Sequence, residues 1–405
     1  MTVDGTHHGV LASFSEPAFR KVWLGSLLFG LGTWIERLAT GWFVLEETDS
    51  VFLAAVSFAI RTVPNLVLGP IGGAVSDRFP RSRVLLAASL VRMVASALMA
   101  LVVLLDVHPV PILFGLVFVT GSTIAFQNTA LQPLQAKIVG PGRLGNAISL
   151  TSLGQRAVGV LGALGGGALI AWYGPAVTFL LAAAPLAGAS VVFALLPVAR
   201  PVQVNSTSFV ADVVEGLRVI VQTPMVRLLL GMMILVEILG FSFNGLLPAV
   251  AERVLEVGPE RLGVLTAGVS VGAVVGTMFL VVAADRFSRG IMLLVVFATF
   301  GALLVLLGNS TLFWVSVAIA AGIGASAAMV DALEWILLQQ SVPDHLRGRV
   351  LGGWNFAIGW GWIGPIALGA IADTFGVPAA LTLSGSTLFA VALIAAIAAP
   401  ALRRR

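Results

Sequence analysis

Apolar stretches of roughly twenty residues, the length that a helix needs to cross a bilayer, recur along the whole chain and constrain its fold more than any other feature. Residues 85–105, 175–196 and 291–307 are examples, and they contain almost no charge. Because lipid offers no partner to backbone N–H and C=O groups, a spanning chain must form helices or a closed barrel. The stretches lack the alternation of polar and apolar residues that a barrel strand requires, so the sequence predicts transmembrane helices.

Turn-forming and charged residues divide the chain into twelve candidate spans. Hydrophobic residues make up 58% of the chain and charged residues only 10%, a balance that soluble domains do not reach. The sequence therefore predicts an all-α membrane protein of twelve transmembrane helices. We place the spans at residues 21–45, 51–76, 83–106, 109–137, 143–172, 175–199, 223–251, 259–285, 288–308, 311–340, 347–373 and 376–401.

Basic residues concentrate in alternate loops between these spans. If the N-terminus is cytoplasmic, most of the 23 lysines and arginines fall on the cytoplasmic side, whereas Arg253 and Arg261 lie in outer loops. Cytoplasmic loops of membrane proteins carry such an excess of positive charge. Residues 1–15 lack the apolar core of a signal peptide, so we expect the first span to direct insertion. The pattern predicts a multi-pass protein of a bacterial-type inner (cell) membrane, with both termini cytoplasmic.

The chain repeats itself weakly at an offset of roughly 200 residues. The motif Asp-Arg-Phe-Pro-Arg at residues 77–81 recurs as Asp-Arg-Phe-Ser-Arg at residues 285–289. An internal repeat of this kind is typical of transporters whose binding site lies between two halves. We therefore expect an N-terminal six-helix bundle at residues 1–199, a linker at 200–222 and a C-terminal six-helix bundle at 223–405.

The linker carries a helical pattern of its own. Its apolar residues recur at helical spacing, opposite Asp212, Glu215 and Arg218. This predicts an amphipathic helix on the cytoplasmic surface. A simple tether between the halves is compatible with the same residues.

One loop connects the chain to a known family. The segment from Gly73 to Arg83 resembles the signature loop of the major facilitator superfamily, in which a Gly is followed four residues later by Asp-Arg and then by Gly-Arg-Arg/Lys. Pro80 stands where that pattern has Gly, and Ser82 stands where it has a second base. Further segments are similar to the branch that contains enterobactin and macrolide exporters, namely Phe19-Arg20, residues 42–45, Gln132-Pro133, residues 143–147 and residues 340–350. The resemblance implies the major facilitator fold, with two pseudo-symmetric six-helix bundles and alternating access.

The resemblance also implies a cytoplasmic gate at this loop and at its degenerate second copy. A carboxylate at a helix end can bind a neighbouring helix N-terminus or a base in one state and release it in the other. The alternative is that the arginines only anchor the topology. The residues concerned are Gly73, Asp77, Arg78, Arg81, Asp285, Arg286 and Arg289.

Eight charged residues fall well inside the predicted spans, away from the span ends, and a charge costs about 2.5–3.5 kcal/mol at a helix centre. They are Glu36, Arg37, Arg61, Arg92, Arg156, Glu237, Asp331 and Glu334. A rise of about 1.5 Å per residue puts Glu36, Arg61, Arg156 and Glu237 at a depth of roughly 20–24 Å. This predicts one charged layer that lines a cavity near mid-membrane. Arg92 lies nearer the interface, so we expect its side chain to snorkel to the surface in a structural role.

For proton coupling we select Glu36, Arg61 and Glu237. Protonation of Glu36 could decide whether its pair with Arg61 holds or opens. The alternative is a static ion pair of Glu36 with Arg61 or Arg37, which only fixes the first two helices. Glu237 could equally contact the cargo.

The expected cavity combines carboxylates with aromatic rings. Asp331 and Glu334 are three residues apart on one helix face, where they could attract a cationic cargo or a proton, or pair with Arg347 or Arg349. Indole rings at mid-depth suit a bulky, partly apolar or cationic molecule, although some could face lipid instead. Because arginines lie in the same layer, an organic anion is an alternative cargo. The predicted cavity residues are Trp34, Arg37, Arg156, Asp331, Glu334, Trp335, Trp360 and Trp362.

The sequence lacks the residues that several classes of functional site require. Neither lysine follows the glycine-rich loop that binds ATP, cysteine is absent, and the four histidines lie far apart in loops. We therefore expect no cofactor, no metal site and no enzyme activity. The net charge of +4 sits at helix ends, which argues against nucleic acid.

The sequence thus predicts a monomeric secondary transporter. Its partners would be a small organic substrate, protons and membrane lipids. Proton-coupled export of a bulky amphiphilic molecule, such as a drug, macrolide or siderophore-like compound, is the preferred function. A lysophospholipid or other lipid transporter of the same fold is the alternative, and a non-transporting membrane receptor is a further one.

Overall fold

The computed structural model describes residues 11–106, 109–198, 222–283, 286–343, 353–354 and 356–403. Within these residues the chain is helical and forms no strand. The predicted linker except its last residue, Asp285, Arg347 and Arg349 lie outside the described residues. Helices of the first half are α1 (Pro17–Thr48), α2 (Val51–Arg78), α3 (Arg81–Leu105), α4 (Pro109–Val139), α5 (144–173) and α6 (175–194).

The second half continues with six long helical segments and a short terminal turn at Pro400–Arg403. The first of these segments contains two stretches of π-helix, Val236–Gly240 and Val250–Val254. The segments are α7 (Pro224–Val254), α8 (Pro259–Ala283), α9 (Arg289–Asn309), α10 (Phe313–Gln340), α11 (Phe356–Phe375) and α12 (Val377–Ala398).

Twelve spans emerge from the described residues. Ten segments are long and apolar enough to cross a membrane, and one of them, Pro141–Ala194, contains both α5 and α6. The two helices meet at Gly174, whose φ of 77° only glycine adopts readily. Helix α1, with 32 residues, is long enough to be the twelfth span, although the charges of Glu36 and Arg37 leave it outside the ten apolar segments. The all-α fold is therefore confirmed, and its helix boundaries agree with the predicted spans to within a few residues wherever the structure describes them; the predicted start of the eleventh span, residue 347, lies outside the described residues.

Local sequence explains where the helices turn. Helix α1 ends at Asp49, which adopts the left-handed conformation that often terminates helices. Ser50 then caps α2, because its hydroxyl accepts a hydrogen bond from the Leu53 amide at 3.2 Å. Ser288 caps α9 in the same way, through the Ile291 amide.

Small residues let the helices pack closely within each half. A Cβ on Gly32 of α1 would meet α6, and a Cβ on Gly121 of α4 would meet the backbone of α2. In the second half, Gly272 and Gly276 lie against the backbone of α10, and Gly301 of α9 lies against α12. Such contacts replace the hydrophobic driving force that helices lack in lipid.

The chain ends lie at one end of the molecule, and two of the helix turns lie at the opposite end. Near the chain ends, the Lys21 ammonium donates to the Leu195 carbonyl at 3.2 Å, and Leu402 packs against Gly290. We call this end the terminal face. The opposite end, the distal face, contains the α1–α2 turn at Asp49 and the α11–α12 turn at Gly376.

Candidate functional site

A buried ionic cluster ties the first four helices together. The Glu36 carboxylate of α1 binds Arg61 of α2 at 2.8 Å and Arg92 of α3 at 3.0 Å. The Thr120 hydroxyl of α4 donates to the same carboxylate at 3.0 Å. Glu36, Arg92 and Thr120 are fully buried, and Arg61 is only 5% exposed. We call these four residues the Glu36 cluster.

Arg92 has a different position from the one expected. Its guanidinium donates to the Thr120 carbonyl at 2.9 Å and lies over the Phe29 ring at 5.4 Å. The prediction that Arg92 snorkels to the surface is wrong, because the side chain finds a carboxylate inside the bundle. Its distance along α3 gave a depth but did not show which way the side chain points.

Arg37 points away from the Glu36 cluster and toward the other half. Its guanidinium lies between the rings of Trp34 and Phe58, at 4.8 Å and 4.7 Å from their centroids. It also donates to the Asn244 side chain of α7 at 2.9 Å. A cavity of about 30 Å³ lies here, lined also by Arg61, and it has room for roughly two water molecules. Arg37 therefore links the two halves.

A larger cavity of about 330 Å³ lies between the halves, and we call it the central cavity. Two charged residues line it: Arg156 on α5 of the first half and Asp331 on α10 of the second. Within the described part of the chain, no hydrogen bond or ion pair engages either side chain, although the two charges attract each other. The other lining residues are Trp34, Gln155, Gly159, Phe241, Phe243, Asn244, Val269, Ser270, Ala273, Gly324, Ala327 and Ala328.

Three carboxyl groups, from Glu237, Asp331 and Glu334, form an acidic triad in the second half. They are close enough to repel one another. Glu334 is fully buried, and neither of its oxygens has a hydrogen-bond partner among the described residues. Glu237 lies on the first π-helical stretch of α7, and its carboxylate occupies the space that a Cβ on Gly361 would need.

The four residues of the charged layer expected from the sequence thus lie in three separate places. Glu36 and Arg61 lie together inside the first half, Arg156 lines the central cavity, and Glu237 belongs to the acidic triad. The proton-coupling role of Glu36, Arg61 and Glu237 stays a prediction. Sequence reasoning missed Thr120 and Asn244, because a neutral polar residue inside an apolar helix gives no distinctive signal.

The mid-depth tryptophans have unequal positions. Trp34 lines both the small cavity and the central cavity. Trp335 packs edge-on against Trp354, with ring centroids 5.3 Å apart, and Trp360 packs against Phe356 at 5.8 Å. Trp335, Trp360 and Trp362 are half-buried and line neither of these two cavities.

The predicted gate lies at the terminal face. Asp77 near the end of α2 forms an ion pair at 3.6 Å with Arg81 at the start of α3, and Arg78 is exposed. A Cβ on Gly73 would meet nothing within 4 Å, so packing in this conformation does not require a glycine there. In the second copy Arg286 is exposed and Arg289 half-buried, whereas Asp285 lies outside the described residues. The gating role of this loop stays a prediction.

The distal face is closed by contacts between the halves. Arg253 binds the Asp49 carboxylate at 2.6 Å. The Asp373 carboxylate accepts hydrogen bonds from the Val51 amide at 2.8 Å and the Ser50 hydroxyl at 3.2 Å. Asp373, at the end of α11, therefore caps the N-terminus of α2, where negative charge is favourable.

Glycines complete this closure. Gly167 of α5 and Gly263 of α8 approach so closely that a Cβ on either would meet the other helix's backbone. Farther from the distal face, a Cβ on Gly159 would contact Ser270. The sequence contained no pattern that predicted these contacts, because they join residues far apart in the chain.

Comparison with known proteins finds similarity to membrane transport proteins along most of the chain. The sequence profile of a family described as transmembrane secretion effector matches residues 8–403. The staphyloferrin A transporter of Staphylococcus aureus (strain NCTC 8325 / PS 47) is 23% identical over 379 residues, covering 91% of this chain and 93% of that protein. The enterobactin exporter of Shigella boydii serotype 4 (strain Sb227) is 25% identical over 396 residues, covering 96% and 94%.

Solved transporter structures share the fold. A POT family transporter in complex with 5-aminolevulinic acid matches with a TM-score of 0.78 at 10% identity, covering 96% of this chain and 97% of that chain. The nucleoside transporter NupG matches with a TM-score of 0.73 at 13% identity, covering 95% and 99%. At such low identity the similarity shows the fold alone.

Proposed function

This chain belongs to the transmembrane secretion effector family of the major facilitator superfamily, and on that premise we propose that it exports a siderophore-like organic molecule by alternating access. Family and fold are those of membrane transporters, and the chain is a multi-pass membrane protein. The proposal assigns it transport rather than catalysis.

The arrangement of Arg156 and Asp331 carries the proposal. They are opposite charges on the walls of one cavity, and each comes from a different half. Among the described residues, neither side chain forms a hydrogen bond or an ion pair. A cargo that binds both charges touches both halves at once. Its binding and release can then change how the halves sit against each other, because a ligand shifts an equilibrium by its differential affinity for the two states.

The closed distal face supports a direction of loading. We propose that the terminal face is cytoplasmic, as the distribution of basic residues predicts, and that cargo enters the central cavity from there. Opening of the distal face would require loss of the Arg253–Asp49 ion pair and of the cap that Asp373 supplies. We further propose that residues 1–199 and 223–405 move as two bundles joined by residues 200–222, with Asp77 and Asp285 in the cytoplasmic gate.

The cargo class follows from the relatives together with the cavity. Two relatives are a staphyloferrin A transporter and an enterobactin exporter, so we propose a siderophore-like cargo. An anionic group of the cargo would bind Arg156, and a hydrogen-bond donor or cationic group would bind Asp331. The cavity volume of about 330 Å³ lies within the range of small-molecule sites. The proposed coupling ion is the proton, and the proposed working unit is a monomer surrounded by lipid.

Transport by purified protein in liposomes tests this function. Enterobactin and staphyloferrin A serve as probes, with and without a pH gradient. We expect gradient-dependent movement of at least one probe by the wild type, and loss of this movement in Arg156→Gln and Asp331→Asn. Lys21→Gln is the matched control, because Lys21 is exposed at the terminal face, outside the signature loop and away from the central cavity. Equal transport by all four proteins would contradict the proposed site.

A lipid transporter of the same fold remains the alternative hypothesis, and the same liposomes distinguish it. A flippase would move a fluorescent lysophospholipid between leaflets without any pH gradient, and neither siderophore probe would compete. Movement of the lipid alone would replace the proposed function. A non-transporting receptor would move none of these molecules.

A further inference from the structure

We propose that Glu334 is the carboxyl group that carries the coupling proton and exchanges it with the central cavity through Asp331. The inference rests on the proposed function, because a coupling proton has meaning only in a protein that transports. It separates the proton site from the cargo site by one turn of α10.

The surroundings of Glu334 do not suit an ionised carboxylate. The side chain is fully buried, and both of its oxygens lack a hydrogen-bond donor in the described part of the protein. A buried charge without donors or a counter-charge is strongly unfavourable. A proton on Glu334 removes the charge, so this conformation favours the neutral acid.

The charged neighbours of Glu334 act in the same direction. Asp331 lies on the same face of α10, and Glu237 approaches from α7. Both are acidic and would repel a second carboxylate. Among the described residues no arginine or lysine pairs with Glu334, and Arg156 interacts with Asp331 instead. Arg347 and Arg349, which the sequence offered as partners, lie outside these residues.

Glu36 provides the contrast within the same molecule. Its carboxylate binds two guanidinium groups and one hydroxyl, so the charged form is compensated where it lies. Release of a proton there would change little, because Arg61 and Arg92 already hold the ionised form. The two buried glutamates therefore have different roles: Glu36 stabilises the packing of the first four helices, and Glu334 binds the proton.

A route for the proton follows from the helix geometry. Asp331 lines the central cavity, whereas Glu334, three residues later, is sealed from it. A proton leaving Glu334 would pass to Asp331 and then to water in the cavity. Glu237 lies on a π-helical stretch, a distortion that is frequent at functional sites.

Cargo binding would control this exchange through charge. A donor or cationic group on Asp331 offsets negative charge near Glu334 and favours its ionisation. The O–H bond of Glu334 then breaks and its carboxylate keeps the electron pair, while the proton passes to the Asp331 oxygen that the cargo does not bind and from there to water. Departure of the cargo restores the repulsion and favours return of a proton. Binding of cargo and of proton thus oppose each other, as antiport requires.

Infrared spectroscopy of the purified protein tests the protonation state without any ligand. We expect the carbonyl stretch of a protonated carboxyl group at neutral pH in the wild type, and loss of the Glu334 contribution in Glu334→Gln. In Glu334→Asp we expect this band to shift. If the wild type shows no such band, or if neither substitution alters it, the inference is overturned.

Transport tests the coupling itself. Glu334→Gln mimics the neutral acid, so we expect it to exchange enterobactin or staphyloferrin A across the membrane but to lose movement driven by a pH gradient. Proton flux, followed with a pH-sensitive dye inside the liposomes, should fall to the level of protein-free liposomes. Glu47→Gln is the matched control, because Glu47 is an exposed acid on α1.

The outcomes separate the two proposals. If the wild type moves neither probe, the proposed function fails. If the wild type couples transport to the gradient and Glu334→Gln does so equally well, only the assignment of Glu334 fails. Loss of exchange in a folded Glu334→Gln protein would also overturn the assignment, because it would place Glu334 in cargo binding.

Discussion

At the scale of single residues, Glu36 and Glu334 differ in their partners although both are buried, and this difference predicts opposite effects on stability. Replacing Glu36 by Gln leaves Arg61 and Arg92 buried without their counter-charge. Removal of one partner from a buried ionic network typically costs about 3–5 kcal/mol. We expect Glu36→Gln to lower the midpoint of thermal unfolding in detergent, and Glu334→Gln to leave it equal or raise it.

This pair of variants is its own control, because each removes one buried carboxylate by the same chemical change. Equal losses of stability in both would contradict the distinction between an engaged and an unpartnered glutamate. Retention of stability in Glu36→Gln together with loss of gradient-driven transport would instead favour Glu36 as the proton carrier.

A glycine offers a second residue-scale prediction. The Glu237 carboxylate occupies the space beside Gly361 that any side chain would need. We expect Gly361→Ala to displace this carboxylate and to reduce gradient-driven transport of the enterobactin probe, measured in liposomes. Gly231→Ala is the control on α7, because a Cβ there meets nothing within 4 Å. Similar transport by both variants would argue against a role for the position of Glu237.

Residue-scale prediction from sequence identified charged residues that are buried, but it did not identify where their side chains point. Charged residues inside apolar spans were expected to avoid lipid, and Glu36, Arg61 and Glu334 are buried in the structure, whereas Arg156 and Glu237 are half-buried. It did not find that Arg92 shares the Glu36 carboxylate, because the direction of a side chain depends on which neighbour each helix face meets. Partners such as Thr120 are set by tertiary packing, which one sequence does not reveal.

At the scale of helices, boundaries were predictable because turn residues mark them chemically. Gly174 and Gly376 both have positive φ, and each separates two helices of its half. Ser50 and Ser288 begin helices with side-chain caps. The π-helical stretches of α7 were not predictable, since they depend on tertiary contacts and leave the hydrophobic pattern intact.

Helix ends also supply the prediction for the distal face. Asp373 of α11 caps α2 from the other half, and an amide there could not supply the negative charge that a helix N-terminus favours. We expect Asp373→Asn to shift the protein toward a state with an open distal face. Spin labels at Glu47→Cys and Glu260→Cys, on the two halves, report their separation by pulsed electron resonance.

The chain contains no cysteine, so such labels attach only where they are introduced. Thr374→Val is the matched control, because among the described residues the Thr374 hydroxyl donates only to carbonyls of its own helix. An unchanged distance distribution in Asp373→Asn would show that this cap does not hold the distal face closed. A shift of equal size in Thr374→Val would point to a general loosening of α11.

At the scale of the whole molecule, the two halves repeat in fold but not in charge. The described interior of the first half contains Arg37, Arg61, Arg92 and Arg156 against the single acid Glu36, whereas the interior of the second contains only the acidic triad. The internal repeat in the sequence indicated two similar bundles. The division of charge was visible in the same sequence, but its meaning required the cavity that brings Arg156 opposite Asp331.

Access to that cavity gives the last prediction. If the terminal face is cytoplasmic, as proposed, and the distal face is closed, a cysteine in the central cavity should be reachable from the cytoplasm alone. Ala273 lines the cavity and is half-buried, so Ala273→Cys supplies the reporter. We expect a membrane-impermeant maleimide to label it rapidly in inside-out vesicles and slowly in right-side-out vesicles.

Two single-cysteine variants calibrate the vesicles. Arg83→Cys, near the terminal face, should react only in inside-out vesicles, and Glu47→Cys, near the distal face, only in right-side-out vesicles. The reverse pattern in both would invert the topology without affecting the fold. A correct pattern in both, with rapid labelling of Ala273→Cys from outside, would mean that the distal contacts of Asp49 and Asp373 do not dominate in the membrane. In the expected case, outside labelling of Ala273→Cys is slow in resting vesicles. If it becomes rapid when the vesicles are energised, the gradient itself opens the distal face, as proton-driven alternating access requires.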